Sequence, residues 1–253
     1  MRICRVAVDD ELHYAVLEKD AVALLSSHPF GPFEPEGTVL PLAEVRLVAP
    51  VLPSKIVAVG RNYADHAKEM GNEVPAAPLI FLKPSTSVIG PGEPIMLPWQ
   101  SEQVEHEAEL AVVIGRLCRD VPEERVAEVV LGYTCANDVT ARDLQRTDGQ
   151  WGRAKGFDSF CPIGPWIETD LDLEDATVEC RVNGDVRQTG STGDMVRDVA
   201  ELVSWISSVM TLLPGDLILT GTPAGVGPIT AGDQVSVSID GIGTLTNPVI
   251  DRD

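Results

Sequence analysis

The stretch Glu105-His106-Glu107-Ala108-Glu109-Leu110-Ala111-Val112-Val113-Ile114-Gly115 sets acids at every second position, directly before a run of aliphatic, largely β-branched residues. A strand turns successive side chains to opposite faces, so Glu107 and Glu109 point the same way. Their Cα atoms should lie roughly 7 Å apart, close enough for two carboxylates to converge on one ion. The apolar run behind them reads as a buried strand. Carboxylates at the mouth of such a strand repel one another unless a positive charge sits between them, and a hard divalent cation answers that need. The spacing alone equally fits a solvated edge strand with its charges facing water.

Working outward, the segments before this stretch are short and strand-like. ICRVAV, HYAVLE, GTVL and VRLVAP alternate within residues 1–51, with Gly and Pro clustered between Pro29 and Gly37. They suggest a small β-rich N-terminal domain over 1–51, followed by a larger domain over 52–253. VLPSKIVAVG reads as a strand running into Gly60, and Asn62 to Met70 as a short helix stopped by Gly71-Asn72. PLIFLKP is a short strand carrying Lys83. Downstream, VPEERVAEVVLG is a helix candidate. Asn183-Gly184 between apolar stretches signals a two-residue hairpin. Met195 to Met210 has the apolar spacing of an amphipathic helix. GDLILTGTPAGVGP is a strand opening into a Gly-rich loop, and QVSVSIDGIGTLTNPV ends the chain in alternating strands. Strands outnumber helices and seldom alternate with them, which predicts a mostly-β, α+β fold rather than a doubly wound sheet.

The formal charge of −20 argues against nucleic acid or an anionic membrane as partner. No apolar run approaches the ~20 residues of a spanning helix, and the N-terminus alternates like a strand instead of forming a signal-peptide core. The expected location is the cytoplasm. Cys4, Cys118, Cys135, Cys161 and Cys180 form no CxxC pair, so they are expected to be reduced, buried small hydrophobes rather than a zinc site. In so acidic a chain, lysines set inside apolar or Gly-rich segments stand out, and these are Lys83 and Lys155.

A third acid to join Glu107 and Glu109 is Asp138, in Ala136-Asn137-Asp138-Val139-Thr140, where a strand meets a loop. Three carboxylates that leave positions open for water and substrate suit Mg²⁺ or Mn²⁺. By itself Asp138 is better read as a cap of the following turn or helix. His66 and Glu69, spaced i, i+3, can hydrogen-bond on the short helix, and a carboxylate on an imidazole raises its basicity and fixes its tautomer. Thr220-Gly221-Thr222-Pro223 is neither a P-loop nor a dinucleotide fingerprint, since no Gly-Lys-Ser/Thr follows and no helix opens there.

Six motifs in order resemble the fumarylacetoacetate hydrolase superfamily: GRNYADHAKEM (60–70), IFLKPSTSVIGPGEPI (80–95), EHEAELAVVIG (105–115), YTCANDVTARDLQ (133–145), RAKGFDSFCPIGPW (153–166) and LTGTPAGVGP (219–228). The match covers about residues 52 to 250. It implies a β-roll catalytic core behind a small N-terminal domain, and a divalent ion (Mg²⁺, with Mn²⁺ or Ca²⁺ as alternatives) on Glu107, Glu109 and Asp138. It further implies Lys155 as fixed positive charge beside that ion and His66-Glu69 as the water-activating pair, carried on a lid. Arg61, Tyr63, Lys83, Arg142 and Gln145 would be donors to a small anionic oxo-acid substrate, with Thr222 in a carboxylate-binding turn. Homodimers are typical of such relatives. The activity implied first is hydrolysis of a C–C bond in an acylpyruvate or fumarylpyruvate. The alternatives are isomerisation or decarboxylation of a hydroxy-diene-dioate from aromatic catabolism, oxaloacetate decarboxylation, or a metabolite-binding homologue without catalysis.

Overall fold

The computed structural model describes residues 1–9 and 11–252. Its main sheet has 12 strands, and the order along its path is Pro35–Pro41, Ala21–Leu25, Glu11–Glu18, Arg2–Val8, Cys161–Glu168, Val130–Asn137, Ala108–Ile114, Leu217–Leu219, Ile56–Gly60 and Leu79–Lys83. A five-stranded sheet packs on it, in the order Asp185–Ser191, Thr177–Val182, Gln234–Ile239, Gly243–Asp251 and Ile95–Leu97. A small third sheet joins Thr140–Ala141, Val104–His106 and Gly227–Pro228. The result is a β-rich α+β protein with few, short helices.

The Ala108–Ile114 strand is central because both of its faces are buried. Leu110, Val112 and Ile114 join one core with Val178, Cys180, Val235, Val237 and Leu245 of the second sheet. Ala111 and Val113 face the opposite core with Ile56, Ile163, Ile167 and Leu217. Each fully buried Val, Leu or Ile contributes about 1.5–3 kcal/mol, so a one-residue slip would forfeit several such terms at once. That register fixes where Glu109 points.

The strands within residues 1–51 continue the main sheet. Ile3 lies opposite Ile167 and Arg2 opposite Glu168, and the N-terminal ammonium also reaches the Glu168 carboxylate at 2.9 Å. They carry a core of their own, built from Cys4, Val6, Ala15, Leu17, Val22 and Leu24.

Several local expectations need correction. The Glu105–Gly115 stretch is two strands, Val104–His106 and Ala108–Ile114, broken at Glu107. There the Glu107 N–H donates to Asn137 Oδ1 at 2.9 Å, and the Asp138 N–H donates to the Glu107 carbonyl at 2.8 Å. VPEERVAEVVLG forms only a 3₁₀ segment, Glu123–Glu128, because Val130 and Leu131 are drawn into the strand paired with Ala108–Ile114. The amphipathic helix starts at Val199, not Met195. Met195 bridges to Tyr63, and Asp198 caps the helix by accepting from the Glu201 N–H at 2.8 Å. Asn183-Gly184 does close a hairpin, with both residues at positive φ. No helix among the described residues is long and apolar enough to cross a membrane.

Candidate metal centre and substrate cavity

Glu107 sits at the strand break, Glu109 on the central strand, and Asp138 just past the end of Val130–Asn137. Oxygens of the three lie within 4.8 Å of one another, and all three residues are buried. Burial of this much like charge is tolerated because cations are built in. Lys155 Nζ donates to Glu107 Oε2 at 2.7 Å and to Asp138 Oδ2 at 2.6 Å. Lys83 Nζ donates to Asp138 Oδ1 at 2.6 Å and also to the Lys155 carbonyl. Arg142 Nη2 reaches Glu107 Oε1 at 2.5 Å, while its Nε holds Glu105 Oε2 at 2.7 Å. Four buried carboxylates therefore face three buried cations.

The acids are not equivalent. Burial pushes the Glu107 carboxyl up, but Lys155 and then Arg142 outweigh it and hold Glu107 well below the usual carboxylate range. For Glu109 burial also acts first, and the charges of Asp138 and Glu107 add to it. Lys155 and the Gly221 N–H, at 2.7 Å from Oε2, offset only part, so Glu109 is held well above the usual range. Lys155 is opposed by burial, but Asp138 and Glu107 raise it above an ordinary lysine. Protein cations thus pair with Glu107 and Asp138, whereas among the described residues none lies within salt-bridge distance of Glu109. An oxygen-only donor set with one acid left short of positive charge fits a hard divalent cation.

The acids form part of the wall of a cavity of about 310 Å³, together with Arg61, His66, Arg142, Gln145, Lys155 and Thr222. Phe81 and Trp151 supply its aromatic wall, edge to face at 5.1 Å. His66 Nδ1 and Glu69 Oε2 are 3.2 Å apart, and Glu69 accepts from the Gly225 N–H at 3.0 Å. The pair thus ties the short Ala64–Glu69 helix to the Gly-rich loop. With Nδ1 engaged, Nε2 is the imidazole nitrogen left for chemistry.

Two expected donors lie elsewhere. Lys83 sits behind the acids at 1% exposure and does not line the cavity. Tyr63 lines a neighbouring pocket with Asp65, Thr189 and Asp194, its hydroxyl buried and without a partner among the described residues. Thr222 lines the cavity, but its hydroxyl hydrogen is given to the Ala108 carbonyl at 2.8 Å while its oxygen accepts from Gln188 Nε2 at 2.7 Å.

The supporting residues were not singled out from sequence. Gln188 Oε1 accepts from the Ala108 N–H at 3.0 Å and faces His106 Nδ1 at 2.9 Å. Its amide nitrogen holds Thr222 and the Pro223 carbonyl, so the oxygen is the acceptor and His106 carries its proton on Nδ1. Asn62 fastens the Arg61 turn through Thr220 and both backbone groups of Arg197. Gly221 has φ +99°, and a Cβ there would stand 2.8 Å from Asn62 Cβ. Glycine thus lets this turn close over the acids.

Comparison with known proteins gives a family. Residues 55–250 match the model described as fumarylacetoacetate (FAA) hydrolase C-terminal, and residues 1–50 match Rv2993c-like, N-terminal. The crystal structure of 2-hydroxyhepta-2,4-diene-1,7-dioate isomerase from Mycobacterium marinum is similar at TM-score 0.93 and 52% identity, covering 100% of this chain and 99% of that one. The mitochondrial oxaloacetate decarboxylase of Dictyostelium discoideum is 47% identical over 75% of this chain and 90% of its own length. Maleylpyruvate hydrolase from Sphingobium sp. SYK-6, solved with manganese(II) and pyruvate, is similar at TM-score 0.83 and 34% identity, with 100% of both chains covered.

Proposed function

Because the chain belongs to the fumarylacetoacetate hydrolase superfamily, we propose that it is a divalent-metal-dependent enzyme that hydrolyses a C–C bond in a small β-oxo or 2-oxo carboxylic acid. One observation carries this reading: the His66–Glu69 pair presents its imidazole to the same cavity as the three acids. The manganese(II) and pyruvate found in the maleylpyruvate hydrolase relative support a divalent ion, Mg²⁺ or Mn²⁺, and an oxo-acid ligand here.

Glu107, Glu109 and Asp138 would hold the cation. When bound, it supplies Lewis-acid polarisation of the substrate's oxo and carboxylate oxygens. The chain's own groups do the rest. Lys155 and Arg142 place fixed positive charge beside the oxo oxygen, where negative charge grows as the C–C bond breaks. His66 Nε2 takes a proton from a water, which attacks the remote carbonyl carbon, and Glu69 stabilises the imidazolium formed. The C–C bond then breaks, its electron pair passes to the oxo-acid fragment, and the proton on His66 returns to that fragment's carbon. Phe81 and Trp151 wall the cavity and limit entry of further water.

The isomerase and decarboxylase readings draw support from the M. marinum and D. discoideum relatives. They share the polarised oxo acid but need no attacking water. His66→Ala separates them. If the reaction is hydrolysis, kcat on acylpyruvates and fumarylpyruvate should fall about 10²–10⁴-fold with metal affinity retained. Hydrolysis at the parental rate would remove the water-activating role of His66. The proposal includes a homodimer, on the resemblance to relatives that pair through the core.

A further inference from the structure

Glutamine ordinarily stays at the surface, yet Gln188 is the one buried residue of the Asp185–Ser191 strand. An irregular pairing turns it inward. Gln188 lies opposite Cys180 and Val186 opposite Arg181, so Arg187 between them has no partner. Such a bulge re-aims the side chain beside it. The strand is also pressed against the Gly-rich loop on either side of Gln188. A Cβ on Gly190 would stand 2.5 Å from Pro223 Cβ, and one on Gly225 would run into the Arg187 carbonyl oxygen. Glycine at these two positions lets Gln188 reach the backbone between the acids.

Both lone pairs and both N–H groups of its amide are used there. Oε1 accepts from the Ala108 N–H at 3.0 Å and from His106 Nδ1 at 2.9 Å. Nε2 donates to Thr222 Oγ1 at 2.7 Å and to the Pro223 carbonyl at 2.8 Å. Thr222 in turn donates to the Ala108 carbonyl at 2.8 Å. Ala108 is the residue between Glu107 and Glu109. Gln188 pins the peptide plane that joins it to Glu107, through the N–H. Thr222 pins the plane that joins it to Glu109, through the C=O. The Gln188–Thr222 bond locks one pin to the other. Where the strand breaks at Glu107, side chains therefore hold both planes between the acids.

We propose that Gln188 is the positioning residue of the metal centre: it sets the separation of Glu107 and Glu109, and with it a preference for Mg²⁺ over Ca²⁺. The proposal rests on the reading of Glu107, Glu109 and Asp138 as a metal centre. Mg²⁺ demands near-ideal octahedral geometry at about 2.0–2.1 Å, whereas Ca²⁺ accepts looser shells at about 2.3–2.6 Å. Carboxylates held rigidly therefore favour the smaller ion. Gln188 does not line the cavity, and it acts through Ala108 and Thr222. Groups that orient a metal's ligands from behind typically govern about 10–100-fold in affinity. With the pins removed, the loss falls on the ion that needs strict placement.

The test is calorimetric and reads ion affinity, not turnover. Mg²⁺ and Ca²⁺ are titrated separately into the parent, Gln188→Met, Thr222→Val and Thr222→Ser, with thermal melts to confirm folding. Methionine keeps the length of the side chain and removes all four hydrogen bonds. Mg²⁺ affinity should fall at least about tenfold, with Ca²⁺ affinity within about threefold of the parent. Thr222→Val removes the second pin at nearly constant shape and should move the Mg²⁺-to-Ca²⁺ ratio the same way. Thr222→Ser keeps the hydroxyl and should hold the parental ratio. Should Gln188→Met fail to fold, the two Thr222 variants decide by the same ratio. A purely structural role would lower the melting temperature and leave the ratio at its parental value. That result overturns the proposal, as does a parent that binds Ca²⁺ more tightly than Mg²⁺. A parent that binds neither ion overturns the metal-centre reading, and the positioning role falls with it.

Discussion

Replacing Lys155 by Met should unbalance the site in a way a bound cation repairs. The Lys155 ammonium lies 2.7 Å from Glu107 and 2.6 Å from Asp138, whose side chains are 5% and 1% exposed. Methionine matches the length of the stem but leaves both carboxylates short of a partner. Removing one member of a buried ion pair costs about 3–5 kcal/mol. At about 2–4 °C per kcal/mol for a chain of this size, the metal-free variant should melt about 6–20 °C below the parent. Glu107 is held low by Lys155, so its pairing stabilises the fold above the ordinary carboxylate range and loses that contribution only as pH falls through the depressed value. The gap should therefore be full at neutral pH and narrow on acidification below about pH 4. Saturating Mg²⁺ should recover more stability in the variant than in the parent, because the ion supplies the missing charge. Thermal unfolding followed by circular dichroism, in chelator and in saturating Mg²⁺, measures all three quantities. A metal-free variant within about 1 kcal/mol of the parent, or equal stabilisation of both proteins by the ion, would refute the charge balance described for the site.

Two further outcomes are expected. Burial, then Asp138 and Glu107, raises the Glu109 carboxyl, so cation binding must displace its proton and apparent affinity should climb with pH until Glu109 ionises unaided. Calorimetry in two buffers of different ionisation enthalpy reads that proton, and a pH-independent affinity without proton release contradicts it. Light scattering at micromolar concentration should give twice the chain mass of 27.1 kDa, and the mass of one chain would remove the homodimer.

The centre of the site was legible because its signal is local. The acids alternate directly before an apolar run, and although the strand breaks at Glu107 instead of running through it, Glu107, Glu109 and Asp138 still converge. The Asn183-Gly184 hairpin was legible for the same reason. What escaped depends on pairing across long stretches of chain. Gln188 sits in a hairpin strand that reads as surface, yet it is 1% exposed and clamps Ala108, His106 and Thr222. Glu105 stood in plain view as one more alternating acid, and only the fold shows it holding Arg142. The Glu123–Glu128 segment had helical composition but lost its last turn to strand pairing, a case of tertiary context overriding propensity. The His66–Glu69 contact follows from i, i+3 spacing, whereas its anchor on Gly225 does not.

The most direct test of the account is a Mg²⁺ and Mn²⁺ titration of the parent beside Glu109→Ala, followed by calorimetry or by manganese paramagnetic resonance. Glu109 is the acid that the built-in cations leave least satisfied, so the ion should depend on it most. The account predicts one ion per chain in the parent and at least about tenfold weaker binding in the variant, which is about 1.4 kcal/mol. A variant that binds one ion as tightly as the parent would contradict the assignment of Glu107, Glu109 and Asp138 as the metal centre.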